Sequence, residues 1–361
     1  MKFKTSFILI IVILFAISGC GVFVAANSTG DTFFPSNHEY LRFTGRIEKS
    51  NPAWPRLYQP GIYLEAAFEG ESCKIIVKDQ QLWGENQNYL QIVLDGQSKR
   101  IQTKGSLDTI EIKCDIKKDI HHLLICKNTE ANIGWIEIGG LICEQLVPLP
   151  PIPSRKIEFI GNSITCGASS DISGIPCGEG KWHDQHNAYM SYGPITARKL
   201  NASWHLSSVS GIGLIRSCCQ MDILMPQVFD NIDMRGDSIS WDFQLYQPDV
   251  VTVCLGQNDG IQDEDAFCDA YIKFLSSLRK VYPKAELICL TSPMASEELK
   301  RDMQKNLTRI IKTIRKNGDL KVDSYFFKGS YTNGCDYHPD LKDHDAISKE
   351  LTPFIQAKMN W

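Results

Sequence analysis

Ser163, Gly211, Asn258 and His338 are the side chains and main-chain positions whose types and spacing suit acyl transfer. Ester cleavage by a hydroxyl needs four things: the nucleophile, a base for its proton, a group that orients the base, and fixed donors for the oxyanion. Ser163 offers the hydroxyl, and Gly161 before it permits a sharp turn out of the run "KIEFIG". His338 is the candidate base, and Asp336, two residues earlier, could orient its ring. Gly211, in "SGIG", can present its N–H with no side chain in the way. Asn258, in "LGQND", offers an amide donor, and the Ser163 N–H would be a third. Taken singly, each segment reads as an ordinary turn, and His338-Pro339 reads as a helix start with Asp340 as its cap. The combination carries the information. The segments occur in order, at the ends of successive strand-like runs, with the base near the C-terminus. The familiar G-x-S-x-G pattern is absent. Cys335 is a poor alternative nucleophile, because it sits close to His338 in sequence and no oxyanion loop accompanies it.

These residues need a scaffold that gathers distant segments. "KIEFIG", "SWHLSSVSG", "DVVTVCLG", "AELICLTSP" and "VDSYFF" read as strands. Helical patterns over 187–200, 265–281, 297–316 and 341–359 lie between or after them. In the second helix Phe267, Tyr271, Phe274, Leu275 and Leu278 form one apolar face. "DVVTVCLG" is almost continuously apolar, as a strand covered on both faces must be. The alternation predicts an α/β domain over 156–361 with a doubly wound parallel sheet. Such sheets bind ligands beyond the carboxyl ends of their strands, where the four candidate segments fall.

Residues 27–146 read differently. "GIYLEAAFEG", "SCKIIVKD", "YLQIVLDG", "TIEIKCDI", "HHLLICKN" and "WIEIGGLICE" are short, partly alternating runs separated by turn residues. They predict an all-β sandwich of jelly-roll type. Residues 147–155 then hold four prolines within 148–153, a stiff linker between the domains.

The first 26 residues read as a targeting segment, with Lys2 and Lys4 ahead of the apolar run "FILIIVILFAI". "ISGC" suits lipidation at Cys20, and "VAA" before Asn27 suits ordinary signal cleavage; the lipoprotein reading is preferred. Either predicts export, to the periplasm, the outer membrane or the medium, where disulfides are permitted. The chain has thirteen cysteines. Cys166 and Cys177 share a Gly/Ser-rich stretch, and a bridge between them would close a short loop beside Ser163. A net charge of -4 gives no reason to expect nucleic acid as a partner. A membrane would be met only through a lipid anchor.

The joint pattern resembles the SGNH (GDSL-type) hydrolase superfamily: "GNSIT", "VSGIG", "LGQND" and "DYHP" look like its successive blocks. "GNSITCG", "SYGPITARKLNAS", "SGIGLIRS" and "GCDYHPDLKDH", behind a β domain carrying "PGIYLEAAFEG", are similar to carbohydrate esterase family 2. The resemblance implies Ser163 as nucleophile, His338 as base, and Gly211 and Asn258 as oxyanion donors. It implies an α/β fold with a flavodoxin-like, three-layer parallel sheet, and removal of O-acetyl groups from plant polysaccharides such as xylan or mannans, with no metal or organic cofactor. Two positions depart from the superfamily. Asn162 stands where Asp is usual, and Cys335 where the orienting Asp often lies. His338 is therefore oriented either by Asp336 or by a main-chain carbonyl in a Ser-His dyad. Tyr337 is the aromatic expected beside the acyl or sugar site. Trp54, Trp83, Trp135, Trp182, Trp204 and Trp241 include further possible stacking platforms. His183 and His186 lack the partners of a metal site. The competing readings are an esterase or lipase for another ester, and a non-catalytic carbohydrate-binding lipoprotein.

Overall fold

The computed structural model describes residues 30–236 and 239–361. The targeting segment and Cys20 lie outside them.

Among the described residues, the N-terminal part contains twelve strands: β1 (Thr32–Pro35), β2 (Arg42–Thr44), β3 (Ile47–Glu48), β4 (Arg56–Leu57), β5 (Tyr63–Glu69), β6 (Ser72–Asp79), β7 (Tyr89–Leu94), β8 (Gln97–Gln102), β9 (Leu107–Lys113), β10 (His121–Lys127), β11 (Ile136–Cys143) and β12 (Gln145–Val147). They form two antiparallel sheets. One runs β3-β4-β11-β6-β9 with β1 on β11; the other runs β12-β5-β10-β7-β8 with β2 on β5. The period of two is clearest in β6, where Cys73, Ile75, Val77 and Asp79 are buried and the residues between them are not. The six predicted runs are β5, β6, β7, β9, β10 and β11. The additional strands are short, or, like β8 ("QSKRIQ"), polar edge strands with no hydrophobic alternation to reveal them.

Pro148–Ser154 carries no strand or helix, and β13 (Arg155–Gly161) opens a parallel sheet. It continues through β14 (Ala202–Ser208), β15 (Val250–Cys254), β16 (Glu286–Leu290) and β17 (Val322–Tyr325), in the order β14-β13-β15-β16-β17. This is the doubly wound order, with the topological switch between β13 and β15. Every residue of β15 is buried. The helices are α1 (Ser163–Cys166), α2 (Tyr192–Lys199), α3 (Met225–Val228), α4 (Glu264–Val281), α5 (Glu297–Lys316) and α6 (Leu341–Met359). α5 and α6 begin where their caps place them: Ser296 accepts the Leu299 N–H, and Asp340 accepts the Asp343 N–H. The first long helix is shorter than the predicted 187–200. A 3-10 turn (Ala188–Met190), capped by Asn187, comes first, and Ser191 is extended before α2 starts.

The β sheets and the α/β sheet pack together with polar groups inside the contact. Arg46 is buried against Glu158 of β13 at 2.9 Å and lies 4.6 Å over the Phe229 ring. Trp204 of β14 stacks on Tyr63 at 4.1 Å and donates to the Gly61 carbonyl at 3.1 Å.

Candidate active site

Gly161 ends β13, paired with Ser208 of β14 and Cys254 of β15. A Cβ there would collide with the Thr165 side chain, so the glycine is what lets α1 begin at once. Asn162 caps the turn by accepting the Ile164 N–H at 3.2 Å, and Gly167, with φ +70°, closes it. Ser163 thus stands at the first position of a short helix. Its Oγ lies 2.9 Å from His338 Nε2.

The other ring nitrogen of His338, Nδ1, lies 3.2 Å from the main-chain carbonyl oxygen of Asp336. Of the two alternatives for orienting the ring, the Asp336 carboxylate and a main-chain carbonyl, it is the carbonyl that lies against Nδ1. The reason is local backbone shape. Asp336 and Tyr337 both have left-handed φ, +52° and +59°, which folds the Asp336 carbonyl back toward the imidazole while the residue itself stays exposed. The loop is held by Gly334 N–H to the His338 carbonyl (2.7 Å), His338 N–H to the Cys335 carbonyl (3.0 Å) and Cys335 N–H to the Ser169 carbonyl (3.0 Å). Burial pushes the His338 imidazole below its usual range, against the opposing pull of the Asp336 carbonyl. The ring is therefore neutral at neutral pH and able to take a proton.

The cysteine expectation is corrected. Cys177 is bonded to Cys335, not to Cys166. Cys166 is a free, buried thiol in α1 facing Ser208 Oγ at 3.2 Å, whereas Cys177 lies on an exposed loop that reaches the His338 segment.

Gly211 has φ +83° and lies just beyond β14. The turn hydrogen bonds around it use its carbonyl, which accepts the Cys218 N–H at 2.8 Å, and leave its N–H unused. The amide nitrogen of Asn258 donates to the Ile212 carbonyl at 2.8 Å, tying the loop after β15 to the loop after β14. An NH₂ has two hydrogens, so one remains for a ligand. Asp259 strengthens the same tie by accepting the main-chain N–H groups of Leu214, Ile215 and Arg216 at 2.7 to 3.0 Å.

Glu130, which follows β10, is a residue the sequence reading missed. It is buried, accepts the Ser210 N–H at 2.7 Å and also accepts the Ser210 hydroxyl. His186 Nε2 stands 3.5 Å from it. Burial alone would raise this carboxyl. The His186 contact and the Ser210 hydrogen bonds outweigh burial and hold it at about 2.

Ser163, Gly211, Asn258 and His338 converge on one open cleft of about 470 Å³, which Trp182, Cys218, Cys219, Met221 and Arg235 also line. Tyr337 is 79% exposed and lies outside that lining. Of the tryptophans, Trp182 reaches the cleft, while Trp204 and Trp241 are buried. Among the described residues, no three His, Cys, Asp or Glu side chains are gathered as a metal site. Hydroxyl, imidazole and spare N–H donors around one point are the components of ester cleavage.

Residues 159–345 match the model of the GDSL-like Lipase/Acylhydrolase family. The chain belongs to that family. In this GDSL-like protein, residues 43–153 match a second model, Carbohydrate esterase 2 N-terminal. Together the matches are those of a carboxylic ester hydrolase. The cellulase/esterase CelE of Acetivibrio thermocellus is 31% identical over 89% of this chain, which spans only 40% of that protein. An acetylxylan esterase / glucomannan deacetylase of Cellvibrio japonicus is 27% identical over 82% of this chain and 86% of its own length. The structure of a family two carbohydrate esterase from Clostridium thermocellum in complex with cellohexaose superposes with a TM-score of 0.80 at 29% identity, covering 89% of this chain and 99% of that one.

Proposed function

We propose that this GDSL-like protein is an exported serine esterase that removes O-acetyl groups from plant polysaccharides of the xylan or glucomannan type through an acyl-enzyme. The observation that carries the reading is the 2.9 Å contact between Ser163 Oγ and His338 Nε2 at an open cleft. Ser163 Oγ bonds to the acetyl carbonyl carbon as His338 Nε2 takes its proton. The oxyanion is held by the N–H groups of Ser163 and Gly211 and by the Asn258 amide. The bond to the sugar oxygen then breaks, and that oxygen receives the proton from His338. Water, deprotonated by His338, attacks the acetyl-serine and releases acetate, restoring Ser163. His338 is oriented by the Asp336 carbonyl, so the working unit is a Ser-His dyad.

The polysaccharide class is supported by the names of the Cellvibrio relative and by the carbohydrate esterase match over the β domain. The β domain is read as a jelly roll, because β4-β11-β6-β9 and β5-β10-β7-β8 alternate between two sheets as that topology requires. Export rests on the leader-like sequence, with Cys20 as the residue that would be lipidated. The test is acetate release from acetylated xylan and acetylated glucomannan, with Ser163→Ala as control. Release by the parent and none by the variant is expected. No release by the parent, or equal release by both, overturns the reading.

A further inference from the structure

Cys218 and Cys219, adjacent in sequence, are bonded to each other in the wall of the catalytic cleft. A disulfide usually stabilises a fold by removing loop entropy from the unfolded chain, and the effect shrinks as the loop shortens. A bridge at a sequence separation of 1 closes no chain loop worth the name, unlike Cys177–Cys335 at a separation of 158. What the Cys218–Cys219 bridge supplies is local: a small rigid ring, closed through the peptide bond between the two residues, with two sulfurs on its face.

That ring is placed where it meets substrate. The Cys218 N–H is bonded to the Gly211 carbonyl at 2.8 Å. A Cβ added to Gly211 would lie 3.0 Å from Cys218 Sγ and 3.1 Å from Met221 Cε, so both sulfur-bearing side chains pack over the oxyanion glycine. Cys219 and Gln220 take left-handed φ of +61° and +60°, which turns this short segment along the cleft, and Cys219 is exposed. An acetyl group whose carbonyl oxygen sits at the Gly211 N–H would share its cleft with the Cys218–Cys219 ring and Met221, within reach of the sugar it is attached to. A pyranose has an apolar C–H face, and polarisable sulfur makes favourable dispersion contacts with such surfaces.

We propose that the Cys218–Cys219 ring, with Met221, is the sugar-binding platform of this esterase: the surface that holds the pyranose ring bearing the acetyl group and so determines specificity. The inference rests on the polysaccharide reading above. Gln220 and Arg235, both exposed at this wall, are placed to meet the hydroxyls at the edge of that ring.

The test has a binding arm and a rate arm. In a Ser163→Ala background, titration calorimetry with xylohexaose and with mannohexaose compares the bridged protein with C218S/C219S. The expected result is about a tenfold weaker Kd for at least one sugar, equivalent to about 1.4 kcal/mol. With Ser163 intact, kcat/KM on an acetylated oligosaccharide should fall at least tenfold more than kcat/KM on 4-nitrophenyl acetate, which has no sugar. Unchanged Kd values, or equal falls on both esters, overturn the proposal, because the ring would then serve only the shape of the Gly211 loop. Non-reducing peptide mapping that finds both thiols free also overturns it. If C218S/C219S does not fold, Met221→Ala, which leaves the bridge intact, is judged by the same two comparisons. Sugar binding that depends on the ring in a parent that releases no acetate would reject the esterase reading and leave the platform standing. Acetate release without such dependence would do the reverse.

Discussion

Glu130, from the β domain, holds Ser210 of the α/β domain by two of its groups at once, the main-chain N–H at 2.7 Å and the hydroxyl. Ser210 directly precedes Gly211, whose N–H is the candidate oxyanion donor. The β domain therefore reaches into the candidate site rather than merely flanking it. A glycine at φ +83° has little side-chain packing to fix it, so its donor direction depends on its neighbours. A buried carboxylate that accepts from both ends of Ser210 removes that freedom. His186, 3.5 Å away, gives the carboxylate a partner that offsets its burial.

Replacing Glu130 tests this directly. Glu130→Gln keeps the size but loses the charge and one acceptor, so the Gly211 donor should drift. We expect kcat on acetylated oligosaccharides to fall toward the range of about 10²–10³ typical of losing one oxyanion donor, with KM nearly unchanged. Glu130→Ala should also lower thermal stability, because Ser210 and His186 would lose their buried partner. A Glu130→Gln enzyme with parental kcat would show that the Gly211 loop holds itself.

Asp336 gives the opposite expectation. Its carbonyl, not its carboxylate, meets His338 Nδ1. Asp336→Asn preserves the carbonyl, and Asn tolerates the left-handed φ of +52°. The loss in kcat/KM should stay below about fivefold, the ~1 kcal/mol ceiling for an exposed charge. A buried triad aspartate, by contrast, costs about 10⁴ when changed to asparagine. A loss near that size in a steady-state assay would restore the carboxylate as the orienting group.

The contrast between these two residues marks what the sequence could reveal. Ser163, Gly211, Asn258 and His338 were legible because each stands at a fixed place in a local pattern, just past an apolar strand or just before a capped helix. The start of α6 was legible for the same reason: Asp340 announces it. Glu130 was not, because its partner is 80 residues away across a domain contact and nothing periodic surrounds it. The disulfide was misassigned by proximity in sequence. Cys166 is nearest to Cys177 along the chain, but α1 turns its thiol into the core. Strand β8 went unseen because an edge strand can be stable without an apolar face when its neighbour supplies the ladder.

The acid limb of activity should lie low. The base form of His338 is the neutral imidazole, and burial lowers its pKa from the ordinary value. A lowered pKa keeps the ring neutral to a lower pH, so the midpoint of the acid limb of kcat/KM should fall below the ordinary histidine value of about 6.5. Below the limb it should fall about tenfold per pH unit, as expected for one essential base. A pH profile of kcat/KM on 4-nitrophenyl acetate, taken between pH 4 and 8, checks this. A midpoint above about 6.5 would mean that His338 is raised rather than lowered.

The Cys177–Cys335 bridge joins an exposed loop to the segment that carries His338, and it closes 158 residues of chain. Loop entropy for a span of that length gives an upper expectation of about 5 kcal/mol, and native bridges commonly deliver about 2–5. C177S/C335S should therefore melt well below the parent in a calorimetric scan. A second effect separates this bridge from a purely global brace. Cys335 N–H and carbonyl hold the turn that sets the His338 ring, through Ser169 and His338 itself. Freed from Cys177, that turn should place Nε2 less often within reach of Ser163 Oγ. Below the melting range, kcat should fall for the polymeric and the small ester alike, with KM changing little. A variant that loses stability but keeps full kcat at low temperature would show that the main-chain hydrogen bonds alone are enough to position the histidine.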